Sequence, residues 1–219
     1  MPESCVMAAA TTVADDDIYM RLKIVQVGEM VLRQRAKELT PAGIRSREIQ
    51  ELIEWMRETM HDAPGVGLAA PQVGLNMQLA VIEDRPENLT DAPPEFLKER
   101  ERKAVPFHVL INPKITLLGD ADVEFFEGCL SLNGFTAVVP RVRKVRVECL
   151  DRNGEAKVIE ASGWYARILQ HEIDHLHGTV YIDRMRPRTF MSVENFSRHW
   201  KTAPMSEVVK ALQTRLALQ

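Results

Sequence analysis

The most constraining feature of this sequence is the pentapeptide His-Glu-Ile-Asp-His at residues 171–175. On an α-helix, residues four positions apart lie on the same face, so His171 and His175 can offer two imidazoles to one transition-metal ion. Glu172 stands next to the first histidine, where its carboxylate can handle a proton of water without being a metal ligand. The pentapeptide therefore predicts a helix that carries a metal site, and it favours a metallohydrolase.

Apolar residues share the face of the two histidines. Trp164 and Ile168 precede them at helical spacing, which predicts that the imidazoles point toward the interior. A buried pair of neutral histidines needs partners for its ring nitrogens, and a metal supplies them directly. We also expect Asp174, about 100° around the helix from the second histidine, to pair with Arg141 as support for the site.

The third metal ligand is not fixed by the pentapeptide. Catalytic sites of this kind take three protein ligands and leave one position open for water. The extended pattern HExxHxxGxxH requires a histidine at position 181, where the chain has Tyr181. Glu194 lies at about the separation that another class of metalloprotease uses. Cys129 follows a glycine after a strand-like run, so it can present its sulfur beside neighbouring backbone amides, and we favour it over Glu194.

Helical periodicity predicts two long helices and a shorter last one. Ser46 is typical of an N-cap, and the apolar residues that follow it keep helical spacing as far as Met60. The metal-bearing helix is expected to begin near Gly163 and to stop at Gly178, a residue type that favours helix C-termini. A last helix is expected within residues 204–218.

Strand patterns occupy the middle of the chain, before the metal-bearing helix. Asn153-Gly154 lies between two apolar runs and predicts a β-hairpin. Cys149 shares one face of the first run with two valines, so we interpret it as a core residue. Together with the helices, these runs predict an α+β fold with antiparallel or mixed sheets around a central metal-binding helix. The strand-like runs are residues 77–83, 108–111, 114–118, 122–126, 136–139, 142–150 and 155–161.

Composition and charge exclude several classes of function. The chain has 28 Lys and Arg against 31 Asp and Glu, a net charge of -3, which argues against direct nucleic-acid binding. Basic clusters at residues 141–146 and 184–188 are interpreted as solvated surface, with docking to an RNA-rich partner as the alternative. No apolar run reaches about 18 residues, so no membrane span is predicted. Three cysteines at unrelated spacings suit a reducing compartment.

The N-terminal segment, residues 1–20, holds three consecutive aspartates and no basic residue. A secretory signal or a transit peptide would be basic, so we expect a loose tail and a cytoplasmic protein. We expect residues 21–190 to form one catalytic domain and residues 191–219 to form a helical extension.

Three separated blocks carry a family resemblance: residues 65–72 (GVGLAAPQ), 127–131 (EGCLS) and 170–176 (QHEIDHL). They resemble, in this order, the three motifs of peptide deformylase. Residues 27–33 and 139–141 are also similar, and the resemblance spans about residues 22–190. Ala-Ser-Gly-Trp before the metal-bearing helix, together with a long excursion at residues 84–106, looks like the organelle-type 1A branch.

The resemblance implies an activity, a cofactor and a set of site residues. The family removes the N-formyl group from the N-terminal formylmethionine of newly made polypeptides and releases formate. The native ion would be Fe²⁺, with Zn²⁺, Ni²⁺ or Co²⁺ as substitutes. The implied partners are N-formyl-Met nascent peptides, with the ribosome and a second copy of the chain as further candidates. The implied site residues are Cys129, His171 and His175 as metal ligands, Glu172, Gln72 and Leu130 in catalysis, and Val66, Gly67, Phe125, Gly128, Trp164 and Ile168 around the methionine.

Two other functions remain open on the sequence alone. A zinc endopeptidase would use Glu194 as the third ligand instead of Cys129. A non-catalytic, metal-stabilised module that binds formylated or acylated N-termini would not need Glu172.

Overall fold

The computed structural model describes residues 21–121 and 123–213. These residues form two antiparallel sheets and one largely buried helix. The strands are β1 (Gly67–Ala69), β2 (Leu79–Asp84), β3 (Val105–Leu117), β4 (Val123–Cys129), β5 (Leu132–Arg141), β6 (Lys144–Leu150), β7 (Ala156–Ser162) and β8 (Met191–Ser192). One sheet has the order β1-β2-β3-β6-β7 and the other β4-β5-β8.

Helices of very different length accompany the sheets. The α-helices are α1 (Pro41–Ile44), α2 (Arg47–Asp62), α3 (Pro94–Glu99), α4 (Gly163–Leu176), α5 (Val193–His199) and α6 (Met205–Gln213). Short 3-10 helices cover Met30–Arg33, Ala70–Val73, Pro86–Leu89, Tyr181–Asp183 and Pro187–Thr189. This combination confirms the predicted α+β class. None of the helices described here has the length and apolar character needed to cross a membrane.

Helix α2 forms where its cap and its apolar stripe predict. The hydroxyl of Ser46 accepts a hydrogen bond from the Ile49 amide at 3.3 Å and so satisfies one free N–H of the first turn. Its buried face, which includes Ile53, Met56 and Met60, packs against apolar residues of β1, β2 and β3. Burial of this stripe, rather than helix propensity alone, holds α2 on the sheet.

The predicted hairpin is present between β6 and β7, which pair from Lys144↔Ser162 to Leu150↔Ala156. Its turn is stabilised by the Asp151 carboxylate, which accepts hydrogen bonds from the Asn153 and Glu155 amides at 2.8 and 3.0 Å. Cys149 lies 6% exposed in the core, as predicted.

Strand β3 differs from the prediction of two separate runs at 108–111 and 114–118. It is one strand, and its register shifts between Ile111 and Lys114. Asn112 adopts a left-handed conformation (φ 50°) there, and its side-chain amide exchanges two hydrogen bonds with the backbone of Leu39. The break in the pattern therefore marks an irregularity inside a strand, because Asn tolerates positive φ.

Helix α4 begins at the predicted Gly163 and ends at Leu176, two residues before the predicted Gly178, and most of its residues are buried. Its apolar residues, among them Leu169, Ile173 and Leu176, pack against the five-stranded sheet. Gly163 has φ +60°, its amide donates to the Arg143 carbonyl at 3.0 Å, and the next amide donates to the Arg100 carbonyl at 2.8 Å. These two carbonyls from distant segments satisfy two of the four free N–H groups in the first turn of the helix.

The C-terminal part of the chain folds back onto the three-stranded sheet. Helix α6 lies inside the range 204–218 predicted for the last helix, and residues 214–218 of that range lie outside the described part of the chain. Met205 and Val208 pack with Phe126 and Val138 of β4 and β5. The predicted N-terminal tail, residues 1–20, also lies outside the described residues.

Gly163→Ala should destabilise the protein more than a comparable change at another glycine with positive φ. An added Cβ would lie 2.7 Å from the Arg100 carbonyl and 2.5 Å from the Glu101 Cβ, so residues 100–101 must move. We expect a loss of roughly 2–4 kcal/mol in the free energy of unfolding, measured by urea denaturation.

Gly154→Ala is the matched control, because Gly154 has φ +80° but its nearest neighbour would be the flexible Arg45 side chain at 3.6 Å. Only the conformational cost of about 1–2 kcal/mol should appear there. Equal losses in the two variants would contradict the role of the close approach at Gly163.

Candidate metal centre and active site

Three side chains from two elements converge on one point. Cys129 ends β4, and His171 and His175 lie one turn apart on α4. One potential ligand atom from each residue lies within 4.8 Å of the other two, and the Cys129 Sγ is 3.3 Å from the His175 Nε2. Among the described residues, this is the one group of three or more His, Cys, Asp or Glu that could hold a metal ion.

The donor set and its spacing fit a divalent transition metal. Bonds of about 2.0–2.3 Å from one tetrahedral ion place its sulfur and nitrogen ligands about 3.5 Å apart. A thiolate with two imidazoles suits zinc, iron and neighbouring metals and does not suit calcium or magnesium. All three side chains are buried or nearly so, which protects such an ion from bulk water.

Glu127 fixes the orientation of His171. Its Oε2 atom lies 3.0 Å from the Nδ1 atom of that imidazole, which leaves Nε2 free to face the sulfur. A carboxylate on the far nitrogen of a histidine sets the tautomer and the ring orientation that metal binding needs. Glu127 lies within the EGCLS block, but its role was not anticipated from the sequence.

Two arginines hold the Glu127 carboxylate in place. Arg141 donates to both of its oxygens at 2.9 Å, and Arg167 donates to Oε1 at 2.6 Å. Arg141 also pairs with Asp174, as predicted. Arg184 donates two hydrogen bonds of 2.7 Å to the carboxylate of Asp174. All four lone-pair directions of Glu127 are therefore occupied, the arrangement that a buried charge requires.

Arg167 was missed by the sequence analysis, although a signal was available. It lies four residues before His171, so helical spacing places a charged residue on the inward stripe of α4. Its side chain is buried and donates to the carbonyls of Val139 and Val123 at 2.8 and 2.6 Å. A charge on a buried stripe indicates a paired network.

Burial and pairing move the pKa values of this network in opposite directions. Burial opposes ionisation of Glu127, but Arg141 and His171 outweigh it, and the pKa of Glu127 falls well below its usual range. Burial lowers the pKa of Arg167 to about 10, against the opposing effect of Glu127. Arg141 shows the reverse balance, because its two carboxylate partners outweigh burial and raise its pKa. Glu127, Arg141 and Arg167 are therefore all charged at neutral pH.

Glu172 has a different environment from Glu127. It is 4% exposed, and its Oε2 atom has no hydrogen-bond partner among the residues that the structure describes. Burial is the main cause that raises the pKa of Glu172 to about 7. A buried carboxylate with a free oxygen is suited to accept and return a proton.

Gly67 lies directly against this carboxylate. A Cβ at Gly67 would come within 2.5 Å of the Glu172 Cδ, so a side chain there would displace the carboxylate. The glycine of β1 is therefore required by close approach to Glu172 and not by its backbone conformation, because its φ is not positive.

Gln72 presents its amide nitrogen to the metal site. The Ala69 amide donates to the Gln72 Oε1 at 2.8 Å, and this bond directs the Nε2 atom toward the Cys129 Sγ, 3.5 Å away. Leu130 follows the cysteine, and the Gln26 side chain donates to its carbonyl at 2.9 Å. Both Gln72 and Leu130 line the cavity next to the site.

A cavity of about 390 Å³ opens beside these residues, large enough for a small ligand or one end of a peptide. Phe125, predicted to line it, is absent from its wall, and Phe126 is present. Successive side chains of a strand point to opposite faces, so the choice depends on register. Phe125 instead packs against Trp164, with the Arg100 and Arg167 guanidinium groups over its ring. The other residues predicted around the methionine line the cavity: Val66, Gly67, Gly128, Trp164 and Ile168.

Glu194 and Tyr181, the residues at the two alternative positions for a third ligand, do not join the group of Cys129, His171 and His175. Glu194 is on α5, its side chain is 77% exposed, and it pairs with Arg198. Tyr181 is buried, with its ring nearly parallel to that of His171 at 6.4 Å between centroids. Its hydroxyl has no partner among the described residues. The sulfur of Cys129, and not the carboxylate of Glu194, is the third donor beside the histidines.

Comparisons with known proteins agree on one family. The family model described as polypeptide deformylase matches residues 21–190. The chain is 49% identical over 172 residues to peptide deformylase 1A, chloroplastic, of Solanum lycopersicum, an alignment that covers 78% of this chain and 62% of the relative. It is 44% identical over 195 residues to peptide deformylase 3 of Streptomyces avermitilis, covering 87% of this chain and 83% of the relative.

A solved structure supports the same assignment. The crystal structure of a peptide deformylase from Synechococcus elongatus in complex with actinonin matches with a TM-score of 0.63 and 37% identity, covering 85% of this chain and 88% of that chain. The chain spans less than two thirds of the length of the tomato relative. The family match covers most of the chain and includes the whole candidate site, and the chain belongs to the polypeptide deformylase family.

Proposed function

We propose that this protein is a metal-dependent hydrolase that removes the N-formyl group from the N-terminal methionine of new polypeptides and releases formate. The observation that carries the proposal is the convergence of Cys129, His171 and His175, with Glu172 beside them and its Oε2 atom without a hydrogen-bond partner in the described part of the chain. Residues 21–190 would form the catalytic domain. Family membership supports this reading, because the relatives above are named peptide deformylases.

Cys129, His171 and His175 would hold the metal ion. When bound, a divalent metal supplies Lewis acidity, which makes water a stronger acid and a formyl carbonyl a better electrophile. The Glu127 carboxylate keeps the Nε2 atom of His171 directed at the site. For the identity of the ion we propose Fe²⁺ in the native enzyme, with Zn²⁺, Ni²⁺ or Co²⁺ as substitutes.

Glu172 would carry the proton through the reaction. Its carboxylate takes a proton from the attacking water while the oxygen bonds to the formyl carbon. It then delivers that proton to the amide nitrogen as the C–N bond breaks, giving formate and a free α-amine. A pKa raised to about 7 by burial suits a group that must both accept and return a proton near neutral pH.

The Gln72 side-chain amide and the Leu130 backbone N–H would stabilise the negative charge that develops on the formyl oxygen. The bond from the Ala69 amide to the Gln72 Oε1 fixes the side chain, so its Nε2 atom is oriented before the reaction. Loss of one such donor typically raises the barrier by about 2.7–4 kcal/mol.

The methionine side chain would enter the cavity between Val66, Trp164 and Ile168. These residues offer an apolar surface that suits an unbranched thioether. Gly67 and Gly128 have no side chain that would project into the cavity beside the metal site, where the peptide backbone would pass. We propose Phe126 in place of Phe125 for this pocket, because Phe126 lines the cavity.

Other partners and the cellular compartment stay predictions. Arg143, Arg146 and Arg186 of the basic clusters pair with carboxylates, which argues against RNA docking through those residues. Contact with the ribosome and formation of a homodimer are not supported by a specific contact. A cytoplasmic location is favoured by the acidic segment at residues 1–20, whereas the tomato relative is named as chloroplastic.

A formate-release assay tests the proposed activity directly. We expect the protein to release formate from a formyl-Met peptide and to leave the matching acetyl-Met peptide intact, because the proposed function requires selection for the smallest acyl group. Formate is measured by a coupled dehydrogenase assay, and acetate by chromatography. Equal rates on the two peptides would rule out selection for the formyl group.

Glu172→Gln and Cys129→Ser should separate catalysis from metal binding. Glu172→Gln keeps the shape of the side chain, so metal content should be unchanged while kcat falls by about 10²–10⁴-fold. Cys129→Ser removes the thiolate, and metal content after dialysis should fall as well. A non-catalytic binding module would keep its function in the first variant, and an endopeptidase that uses Glu194 would keep its metal in the second.

Metal replacement tests the assignment of iron. Protein purified without oxygen should contain iron, and exchange to zinc should lower kcat without changing the fold, measured by elemental analysis and circular dichroism. Nickel or cobalt should restore turnover in the same preparation. A zinc form as fast as the iron form would show that the assignment of Fe²⁺ is wrong.

A further inference from the structure

One charged side chain stands in the part of the catalytic cavity proposed to hold the methionine. Arg102 lines the cavity together with Val66 and Trp164. It belongs to the excursion at residues 84–106, which has no role in the mechanism proposed above. A pocket made only for an apolar side chain gains nothing from a guanidinium group in its wall, because that group holds water. Arg102 therefore adds a polar contact to a surface that is otherwise apolar.

Asp84 holds the guanidinium group of Arg102 in a fixed orientation. The Nε and Nη2 atoms of Arg102 donate to the two oxygens of this carboxylate at 2.8 and 2.9 Å, and Asp84 is fully buried. Two parallel bonds of this kind fix the plane of the guanidinium group. Neither bond uses the Nη1 atom. The side chain of Arg102 is still 19% exposed, so a ligand in the cavity can reach it.

Two further contacts place this group beside the residues proposed to hold the methionine side chain. The Cζ atom of Arg102 lies 5.4 Å from the centre of the Trp164 ring. Asp84 directly follows the residue whose amide donates to the Val66 carbonyl at 3.1 Å. The guanidinium group is thus fixed next to Val66 on one side and over Trp164 on the other.

The position of Trp164 on α4 shows which end of the pocket this is. Trp164 precedes His171 by seven residues, which corresponds to about 10 Å along the helix axis. That length is comparable to a formyl group followed by an extended methionine side chain. If the formyl group lies at Glu172, the sulfur of the methionine comes close to Arg102.

Arg167, the other arginine among the described residues of the cavity wall, has its donors engaged by the protein. Its Nη1 atom donates to Glu127 and to the Val139 carbonyl, and its Nη2 atom donates to the Val123 carbonyl. Arg102 differs because its two bonds to Asp84 leave one terminal nitrogen out. The geometry therefore favours Arg102 as the donor for a polar atom near the end of the bound side chain.

We propose that Arg102 lets this pocket accept a formylmethionine whose sulfur carries an oxygen, the sulfoxide. The inference rests on the proposed deformylase function and widens its substrate class. Oxidation turns the apolar thioether into a polar, chiral group, and the Nη1 atom of Arg102 donates a charge-assisted hydrogen bond to the added oxygen. The reaction is the same hydrolysis: water adds to the formyl carbon, the C–N bond breaks, and Glu172 returns the proton to the amine. The S–O bond is left intact.

Three peptides test this contact: formyl-Met-Ala-Ser, its sulfoxide with each epimer assayed separately, and formyl-norleucine-Ala-Ser as the apolar reference. In the unmodified enzyme, kcat/KM for the better epimer should lie within about ten-fold of the methionine peptide, because the new hydrogen bond offsets lost hydration. Arg102→Met should lower kcat/KM for that epimer, relative to norleucine, by roughly 10–100-fold, the size of one hydrogen bond to a charged group.

Arg100→Met is the matched control. The Cζ atom of Arg100 lies 5.6 Å from the centre of the same Trp164 ring, yet Arg100 does not line the catalytic cavity. The ratio of sulfoxide to norleucine rates should stay as in the unmodified enzyme. A general loosening of the excursion would instead lower the rates on all three peptides alike.

Arg102→Met leaves the buried carboxylate of Asp84 without its cation, which destabilises a fold. The double variant Asp84→Asn/Arg102→Met removes both charges, and it replaces the single variant if circular dichroism shows that the latter is unfolded. The same selective loss on the sulfoxide is expected. Two results would overturn the proposal: a larger deficit than expected for both epimers in the unmodified enzyme, or an unchanged ratio of sulfoxide to norleucine rates in the folded variant.

Failure of the proposed function gives a different result. If formyl-Met-Ala-Ser releases no formate, the deformylase assignment fails by itself. The contact is then measured by calorimetric binding of the sulfoxide and norleucine peptides. Weaker binding of the sulfoxide alone in the Arg102→Met variant would support the role of Arg102, whereas an equal change for both peptides would overturn it.

Discussion

The ionised carboxylate of Glu127 is the interaction on which the rest of this site depends. It receives hydrogen bonds from Arg141 on β5, from Arg167 and His171 on α4, and it lies itself on β4, two residues before Cys129. One buried charge therefore joins the strand that supplies the sulfur to the helix that supplies the imidazoles. Removing one partner of such a group leaves an uncompensated buried charge, which typically costs 3–5 kcal/mol.

The two buried glutamates illustrate how environment assigns roles. Glu127 is surrounded by cations and cannot take up a proton near neutral pH, so it serves as a fixed negative charge behind His171. Glu172 lies against Gly67 on one side, and one of its oxygens has no partner in residues 21–121 and 123–213. The same side chain is thus a structural anion in one place and the proposed proton carrier in the other.

Much of the fold and part of the site could be predicted from local patterns. The helix that carries the histidines, the cap at Ser46 and the hairpin at Asn153-Gly154 all depend on residues close in sequence, and the structure confirms them. The convergence of Cys129 with the histidines joins distant segments, so local spacing only favoured Cys129 over Glu194, and the family resemblance then implied it as a ligand.

What could not be predicted depends on register and long-range pairing. Phe125 and Phe126 differ by one position in β4, and only the pairing with β5 decides which one faces the cavity. Strand β8 is two residues long and carries no pattern of its own, so its pairing with β5 could not be anticipated. The role of Arg167 required knowing that Glu127 lies across from it.

The contacts at the start of α4 determine when, during synthesis of the chain, the metal site can form. The first two amides of α4 donate to carbonyls of Arg143 and Arg100, and its imidazoles need a sulfur from β4. A chain that has left the ribosome only as far as β7 already contains the thiol and both carbonyls but neither histidine. Capture of a metal ion by all three residues must therefore wait until α4 emerges, and the activity proposed for this chain cannot begin before His175 has been synthesised.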